Sequence, residues 1–249
     1  MLSKLSKIVT SIFLLLALTA CNQEADLAEK DAIIVATSAD NPPYEYIQDG
    51  KVVGLDIDVI NAIGKELGRK IIVKNLDFPA LLPSLSTKSV DLVIAALTMS
   101  DERKMHIDFS DGYSSTIMAM MFKKSDNFKS LTDLHGKVIG VQSGTTWEAY
   151  ANDLATKFPD IRVRALSNNL VLIEELKVGS VDAIIMEEMQ VRKFKQNVEN
   201  LISFSLVDTQ GEFAIAFPKG SELASIVNTA IKQLKDSGVL RDIKEKWLQ

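Results

Sequence analysis

The chain has 249 residues, of which 47% are hydrophobic and 24% are charged, and its formal net charge is −5. This length allows one large domain or two smaller lobes with separate cores. Lysine and arginine are scattered without a basic run, so the charge pattern of nucleic-acid-binding proteins is absent and we exclude that class.

The start of the chain predicts export. Lys4 and Lys7 precede an almost unbroken apolar run over residues 8–20, which is too short to cross a hydrocarbon core of roughly 30 Å. This order is typical of a secretory signal peptide. The run ends in Leu-Thr-Ala-Cys at residues 18–21, which resembles a bacterial lipobox.

We therefore predict a lipoprotein signal peptide over residues 1–20, lipid attachment at Cys21 and a polar tether over residues 21–31. The mature protein would be a membrane-anchored lipoprotein of the periplasm. The alternative is a plain signal peptide that has a cysteine nearby. Cys21 is the single cysteine of the chain, so an intramolecular disulfide is excluded.

Short apolar runs then alternate with helical patterns. Strands are predicted over residues 33–36, 71–73 and 91–96, and helices over residues 57–67 and 81–85. Unbroken valine and isoleucine runs are typical of parallel strands that helices cover on both faces. The pattern predicts an α/β fold.

The same order repeats in the second half of the chain. The predicted strands and helices there are strands 138–141, 161–165 and 181–186, and helices 147–158 and 170–178. Residues 88–94 resemble residues 178–185, because each segment is a helix end, a turn and a strand led by aspartate. This repetition predicts two similar α/β lobes.

Two further apolar runs, residues 116–122 and 212–217, are suited to cross between the lobes, and helices 223–234 and 240–247 would close the fold. The first lobe is predicted over residues 32–117 and 213–249, and the second over residues 118–212. Two crossings make a hinge beside a cleft, and small-molecule sites favour such interfaces.

Catalytic and metal-binding patterns are weak. His106 and His135 lack metal-ligand spacing, no Gly-x-Ser-x-Gly turn occurs, and residues 140–144 lack the ending of a phosphate loop. We predict no metal, no cofactor and no catalytic residue. An enzyme that uses isolated carboxylates stays open, because a sequence does not show which acids meet in space.

Polar groups at strand ends are the candidate ligand contacts, since α/β clefts place ligands there. Arg103 could hold a carboxylate beside Thr98, or it could be a solvated charge paired with a neighbouring acid. Thr145 and Thr146 precede a helix, where they could bind an anion or simply cap it.

Two other residues carry similar alternatives. Glu187 could accept hydrogen bonds from an ammonium group or be a first-turn acid of the next helix. Phe78, in a predicted loop, could wall a pocket or belong to the core.

Six motifs, in order and over about residues 33–247, resemble family 3 of the bacterial extracellular solute-binding proteins, the polar amino-acid group. They are residues 41–46 (Asn-Pro-Pro-Tyr-Glu-Tyr), 54–59 (Gly-Leu-Asp-Ile-Asp-Val), 77–85, 98–103 (Thr-Met-Ser-Asp-Glu-Arg), 108–113 and 140–146. The resemblance implies a two-lobed periplasmic-binding-protein fold of type II that delivers an amino acid to the permease of an ABC importer.

The resemblance also assigns roles. It implies that Arg103 grips the ligand α-carboxylate, with Thr98 and the N–H group of Thr145 or Thr146 assisting. Glu187 stands where most relatives have an aspartate that binds the α-ammonium group. Phe78 corresponds to a residue that lines the side-chain pocket.

Selectivity is expected to differ from that of many relatives. Ser38 and Asn41 stand where relatives that bind Arg, Lys, His or Gln carry an acid or amide and an aromatic residue. Asp40 supplies an acid nearby, Tyr44 belongs to the first binding loop, and Ala96 replaces Gly or Ser. We expect a monomer that binds a free amino acid, with a polar or basic one favoured.

The resemblance leaves two alternatives. Exported dehydratases that act on cyclohexadienyl acids share the fold, and in such an enzyme Glu187 or Asp40 could act as the acid. A sensory lipoprotein could present the same lobes to a receptor.

Overall fold

A computed structural model describes residues 31–248, so the predicted signal peptide, Cys21 and nearly all of the tether lie outside the described residues. The first part of the chain forms, in order, β1 (Ile33–Thr37), β2 (Asp40–Asn41), β3 (Glu45–Gln48), β4 (Lys51–Val53), α1 (Leu55–Leu67), β5 (Ile71–Asn75), α2 (Phe78–Ser86), β6 (Leu92–Val93), α3 (Asp101–Lys104) and β7 (Ile107–Phe109).

The middle of the chain forms β8 (Ser114–Lys123), a 3₁₀ turn (Leu131–Leu134), β9 (Val138–Gln142), α4 (Thr146–Lys157), β10 (Arg162–Leu166), α5 (Asn169–Val178), β11 (Ala183–Glu187), α6 (Glu188–Asn197) and β12 (Leu201–Phe213). The chain then returns through β13 (Ala216–Pro218), α7 (Leu223–Asp236) and α8 (Val239–Trp247).

Two mixed sheets organise residues 31–248 into two lobes. The first lobe has strand order β5-β1-β6-β13-β7, and the second has β10-β9-β11-β8-β12. In each sheet the first three strands are parallel, as predicted. The connecting and returning strands β8, β12 and β13 pair antiparallel, which the sequence pattern did not show. A small antiparallel sheet, β2-β3-β4, was also not predicted, because its strands are short and partly polar.

The predicted repetition of the two lobes is confirmed at the level of single hydrogen bonds. Asp91, before β6, donates its N–H to the Ile34 carbonyl (2.8 Å) and accepts the Ile34 N–H on Oδ2 (2.7 Å). Asp182, before β11, makes the same pair of bonds with Val138, each 2.8 Å long. The aspartate therefore extends a parallel pairing by one residue in both lobes.

Helices cover both sheets, and the apolar side chains between them form separate cores. In the second lobe Met120, Phe122 and Ile184 are buried among the strands and helices. In the first lobe Phe213 is fully buried, with its ring centroid 5.1 Å from that of Tyr44 in an edge-on contact. No helix within residues 31–248 has both the length and the apolar character needed to span a bilayer.

The segment after β6 departs from the predicted strand over residues 91–96. Regular strand structure stops at Val93, and Ala96 adopts a left-handed conformation with φ 42°. The Ala96 N–H donates to Asp56 Oδ2 at 2.6 Å instead of to a neighbouring strand. The predicted loop at Phe78 was wrong, because the helix begins there, after Asp77 and with a proline in its first turn.

The loop that follows Ala96 is joined to the end of β12. Leu97 O accepts the Ala214 N–H at 3.1 Å, and the Met99 N–H donates to Glu212 O at 3.1 Å. Thr98 forms an isolated antiparallel bridge with Phe213. The predicted lobe boundaries fall inside β8, at 117–118, and at the end of β12, at 212–213.

Candidate functional site

A small cavity lies between the two lobes. It gathers seven of the ten predicted ligand contacts, and two residues that were not predicted, Ala95 and Trp147. The seven are Asn41, Phe78, Ala96, Thr98, Arg103, Thr145 and Thr146. The threonines of α4 come from the second lobe and the other predicted residues from the first, so closure of the two lobes forms the cavity.

Arg103 is the charged residue of the cavity wall. Its Nη1 donates to Thr98 O and its Nη2 to Gly144 O, each at 2.8 Å, and its guanidinium carbon lies 6.0 Å from the centre of the Phe78 ring. Burial lowers its pKa to about 10, so it stays protonated at neutral pH.

No carboxylate of residues 31–248 lies within ion-pair distance of Arg103, and the neighbouring Asp101 pairs with Lys104 instead. The alternative of an ion pair between Arg103 and a neighbouring acid is therefore not seen among these residues. A half-buried guanidinium held by carbonyl groups is poised to bind an anion.

The loop before α4 combines capping with a candidate anion site. Thr145 Oγ1 donates to Gln142 O at 2.6 Å and accepts the Glu148 N–H at 3.2 Å, so the hydroxyl is a helix cap. Gly144 N donates to Glu148 Oε2 at 2.7 Å. Thr146 opens α4, and N–H groups in a first helical turn have no partner inside the helix. The backbone, more than the Thr145 hydroxyl, is the part of this loop suited to a carboxylate.

Two aromatic rings wall the cavity from opposite lobes. Phe78 is the first residue of α2, and Trp147 is the second residue of α4 and almost completely buried. Gly144 has φ 77°, and a Cβ on it would lie 3.5 Å from Pro79, so the lobes approach closely here. Trp147 was missed, although its position directly after Thr146 placed it beside the predicted site.

Glu187 lies outside this cavity. It ends β11, is 2% exposed, and accepts the Gln190 N–H on Oε2 at 3.0 Å, so it caps α6. It lines a neighbouring groove with Thr116 and Gly211. No lysine or arginine of residues 31–248 is within ion-pair distance of Glu187.

Burial raises the pKa of Glu187 to about 7, although its hydrogen bond from Gln190 N works in the opposite direction. The buried Tyr44 hydroxyl approaches Glu187 and also lowers this pKa, but it does not reach good hydrogen-bond geometry. Glu187 is thus a buried acid without a cationic partner among the described residues.

Two buried acids, Glu45 and Asp56, hold residues of the cavity wall in place. The sequence analysis did not predict this pair. Glu45 Oε1 accepts the Asn41 Nδ2 group at 2.9 Å, and Asp56 accepts the Ala96 N–H at 2.6 Å and the Tyr113 hydroxyl at 2.9 Å. Both acids belong to motifs that carry the family resemblance, residues 41–46 and 54–59, and this is the sequence signal that could have identified them. The pair fixes the positions of two cavity residues, Asn41 and Ala96.

The pKa values of both acids are raised. Burial raises the pKa of Glu45 well above its usual range, and the nearby Asp56 raises it further. Burial also raises the pKa of Asp56, to about 6, against the hydrogen bonds from Ala96, Glu45 and Tyr113. Both carboxyl groups therefore lie in surroundings that favour their protonated forms.

Asp40 is buried between the lobes and away from the cavity wall. Its Oδ2 accepts the Gln142 Nε2 group at 3.0 Å and the Asn169 N–H at 2.7 Å, both from the second lobe. Its Oδ1 accepts the Ser38 hydroxyl at 3.2 Å and the Asn169 Nδ2 group at 3.4 Å. Gln142 and Asn169 were not among the predicted residues. In the part of the chain that the structure describes, no group of three His, Cys, Asp or Glu residues is arranged to hold a metal ion.

Residues 33–249 match the family model described as "Bacterial extracellular solute-binding proteins, family 3". The protein belongs to this family. A relative in Bacillus subtilis, the arginine-binding extracellular protein ArtP, is 36% identical over 238 residues, which cover 93% of this chain and 92% of the relative. The L-cystine-binding protein TcyJ of Escherichia coli is 30% identical over 224 residues, 88% of this chain and 83% of the relative.

Solved structures agree with the fold of this solute-binding protein. An ancestral arginine-binding protein bound to arginine is 35% identical, with a TM-score of 0.83, and the match covers 88% of this chain and 99% of the other. An ancestral amino acid-binding protein described as a precursor of cyclohexadienyl dehydratase is 29% identical, with a TM-score of 0.80, 90% of this chain and 98% of the other being covered. The predicted two-lobed fold of type II is confirmed, and membership of an extracellular family indicates that the protein works outside the cytoplasm.

Proposed function

We propose that this protein captures a free amino acid between its lobes and delivers it to the permease of an ABC importer. The observation that carries the proposal is a pair of opposite charges without partners. Among residues 31–248, Arg103 of the first lobe forms no ion pair with an acid, and Glu187 of the second lobe forms none with a base. An amino-acid zwitterion supplies both missing charges. Relatives named for arginine and cystine binding support the same class of ligand.

The carboxylate of the ligand would bind Arg103. A guanidinium can hold a carboxylate through two parallel hydrogen bonds, and such charge-assisted bonds contribute roughly 1.5–3 kcal/mol each. The Thr98 hydroxyl and the Thr146 N–H group complete the site. Because Arg103 already bonds to Gly144 O of the second lobe, a ligand held by Arg103 stabilises the closed arrangement.

The ammonium group would bind Glu187, which carries one methylene more than the aspartate usual in the family. Tyr44 lies beside this carboxylate and belongs to the first binding loop. The capping bond from Gln190 N holds one carboxylate oxygen, so the other oxygen is the one we assign to the ammonium group.

Affinity should fall as the pH falls below about 7. The ammonium group prefers ionised Glu187, whose pKa is about 7 in the free protein, so protons compete with the ligand below that value. We expect the dissociation constant to rise by up to about tenfold per pH unit between pH 7 and pH 5.5. The stability of the free protein depends on pH in the opposite sense. Because folding raises the pKa of Glu187 from 4.5 to about 7, the contribution of Glu187 to the free energy of unfolding falls as the pH rises through this range.

Calorimetric titrations across this pH range would measure the effect, with Glu187→Gln as the matched control. The variant should bind more weakly at pH 8 and lose most of the pH dependence. Any slope that remains belongs to other groups, Asp56 included, since its pKa is about 6. A wild-type affinity that stays constant from pH 8 to 5.5 would contradict the assignment of Glu187.

We also propose that the protein is a periplasmic monomer, exported by the signal peptide over residues 1–20 and anchored by lipid on Cys21. A tether of about ten polar residues would then keep the cleft near a membrane permease. At least two acyl chains at one residue suffice for stable attachment, where one would be marginal.

Cys21→Ser should release the protein from membranes and leave ligand binding unchanged, because the substitution removes the acceptor of the lipid and lies outside the cleft. Membrane fractionation measures the first effect and calorimetry of the purified protein the second. If the variant still partitions wholly with membranes, the lipid anchor is disproved, whatever the cleft binds.

Similarity to a precursor of cyclohexadienyl dehydratase raises the question of catalysis on this fold. That relative is itself described as an amino acid-binding protein, so the similarity favours binding. Incubation of the purified protein with a cyclohexadienyl acid tests the enzymatic alternative, since an aromatic product would be detected by its absorbance.

A further inference from the structure

Asp40 is saturated by hydrogen bonds from the protein itself. Its two oxygens accept bonds from Ser38, Gln142 and Asn169, with Asn169 contributing both its N–H and its side-chain amide. An ionised carboxylate offers about four acceptor positions, and these four donors use them. Asp40 is also 4% exposed, so solvent does not compete for it.

The donors from the second lobe are held in place by one another. Asn169 Nδ2 donates to Gln142 Oε1 at 3.1 Å, and Gln142 Nε2 also donates to Ser167 O at 3.1 Å. These contacts fix both amides in the orientation that serves Asp40. Asp40 therefore joins the lobes, and a ligand cation would have to break several bonds to reach it.

The cavity offers no other counter-ion for a basic side chain. Among the described residues that line it, Arg103 is the one charged group, and it is positive. The neighbouring groove adds two acids: Glu187, which is assigned to the ligand ammonium, and Glu188, which is already paired with Arg192 at 2.7 Å. A cation–π contact with Trp147 is weaker than the cost of placing a second desolvated cation beside Arg103.

Asn41 indicates what the side chain of the ligand carries. Its Nδ2 donates to Glu45 Oε1 at 2.9 Å, which fixes the orientation of the amide. Asn41 Oδ1 is buried in the cavity wall without a hydrogen-bond partner among residues 31–248. A buried acceptor of this kind is stabilised by a donor from the ligand.

We infer that the site selects an α-amino acid whose side chain is uncharged and carries an N–H or O–H donor, an inference that rests on the proposed function. Asp40 is then a latch, meaning a residue that holds the two lobes together by hydrogen bonds, and is not a counter-ion for the ligand.

Calorimetric titration of the purified protein with each of the twenty amino acids tests this inference. We expect the tightest ligand to have an uncharged side chain with a donor, such as an amide or hydroxyl. A tightest ligand that is basic or acidic, or that lacks a side-chain donor, overturns the inference and leaves the proposed function standing. Binding of none of the twenty by a folded protein would overturn both.

Arginine and citrulline give a matched comparison, since citrulline has nearly the shape of arginine without its charge. If citrulline binds measurably, we expect arginine to bind at least about tenfold more weakly. If citrulline does not bind measurably, we expect that arginine does not bind either. Tighter binding of arginine would identify a counter-ion in the cleft and overturn the inference.

The variant Asp40→Asn separates a latch from a counter-ion. If Asp40 is a latch, the variant binds the tightest uncharged ligand several-fold more weakly and keeps the preference for uncharged over basic ligands. If Asp40 is a counter-ion, the variant loses affinity for arginine and lysine selectively, which would contradict us. Thermal unfolding without ligand controls for a general loss of stability.

Discussion

Arg103→Ala should weaken amino-acid binding by at least about a hundredfold, which is the expected loss of two charge-assisted hydrogen bonds of roughly 1.5 kcal/mol or more each. The free protein should keep its fold, because Arg103 is half-buried and its protein partners, Thr98 O and Gly144 O, are carbonyl groups at the cleft. Calorimetry measures the affinity and circular dichroism the fold.

Arg162→Ala is the matched control, since it removes an arginine that is exposed at the start of β10 and lies outside the cleft. We expect this control to bind ligand as the wild type does. Unchanged affinity in Arg103→Ala would remove the basis of the proposed function, whereas a parallel loss in both variants would point to a non-specific charge effect.

Gly54→Ala should destabilise the protein by more than about 4 kcal/mol, a loss that few single substitutions cause. Gly54 precedes α1 with φ 134°, a conformation that side chains rarely adopt. An added Cβ would overlap the carbonyl oxygen of Tyr44 and lie 2.9 Å from Glu45 N, and backbone atoms cannot move aside cheaply. The first binding loop would be displaced together with Asn41.

Gly50→Ala, in the turn between β3 and β4, shows the cost of a positive φ without steric overlap. Gly50 also has positive φ, 73°, but an added Cβ would meet nothing within 4 Å. We expect a loss of about 1–2 kcal/mol, the usual cost of a left-handed conformation for alanine. Chemical denaturation measures both variants. Equal losses in the two would show that overlap with Tyr44 contributes nothing.

Much of the fold follows from local patterns. The apolar runs of β1, β5, β9 and β10 and the aspartate that leads β6 and β11 are visible in the sequence, and their repetition predicts two lobes. What the sequence did not show depends on distant partners. The end of β6 at Val93 is one example, because the departure of Ala96 from the strand is set by Asp56, forty positions earlier.

The candidate site likewise has parts that the sequence predicts and parts that depend on distant partners. Family motifs located Arg103, Thr98 and the loop before α4, which the structure brings together. Asp40 was predicted as an acid that contacts the ligand, whereas its partners in the structure, Gln142 and Asn169, lie 102 and 129 positions away in the chain. The sequence around an acid such as Asp40 does not show whether its carboxylate faces a ligand or a distant part of the same chain. In the structure, Asp40 accepts hydrogen bonds from the second lobe.

The joint between the Thr98 loop and the end of β12 has a mechanical consequence. β12 pairs with β8 along most of its length, and both belong to the sheet of the second lobe. The bonds from Met99 to Glu212 and from Ala214 to Leu97 therefore tie the segment that leads into Arg103 to the end of β12, where the chain passes from the second lobe back to the first. We expect rotation of one lobe against the other to bend the chain at this joint, which lies close to Arg103 in the sequence. In the proposed function, a ligand bound by Arg103 would therefore act on a segment that is hydrogen-bonded to the connecting strand.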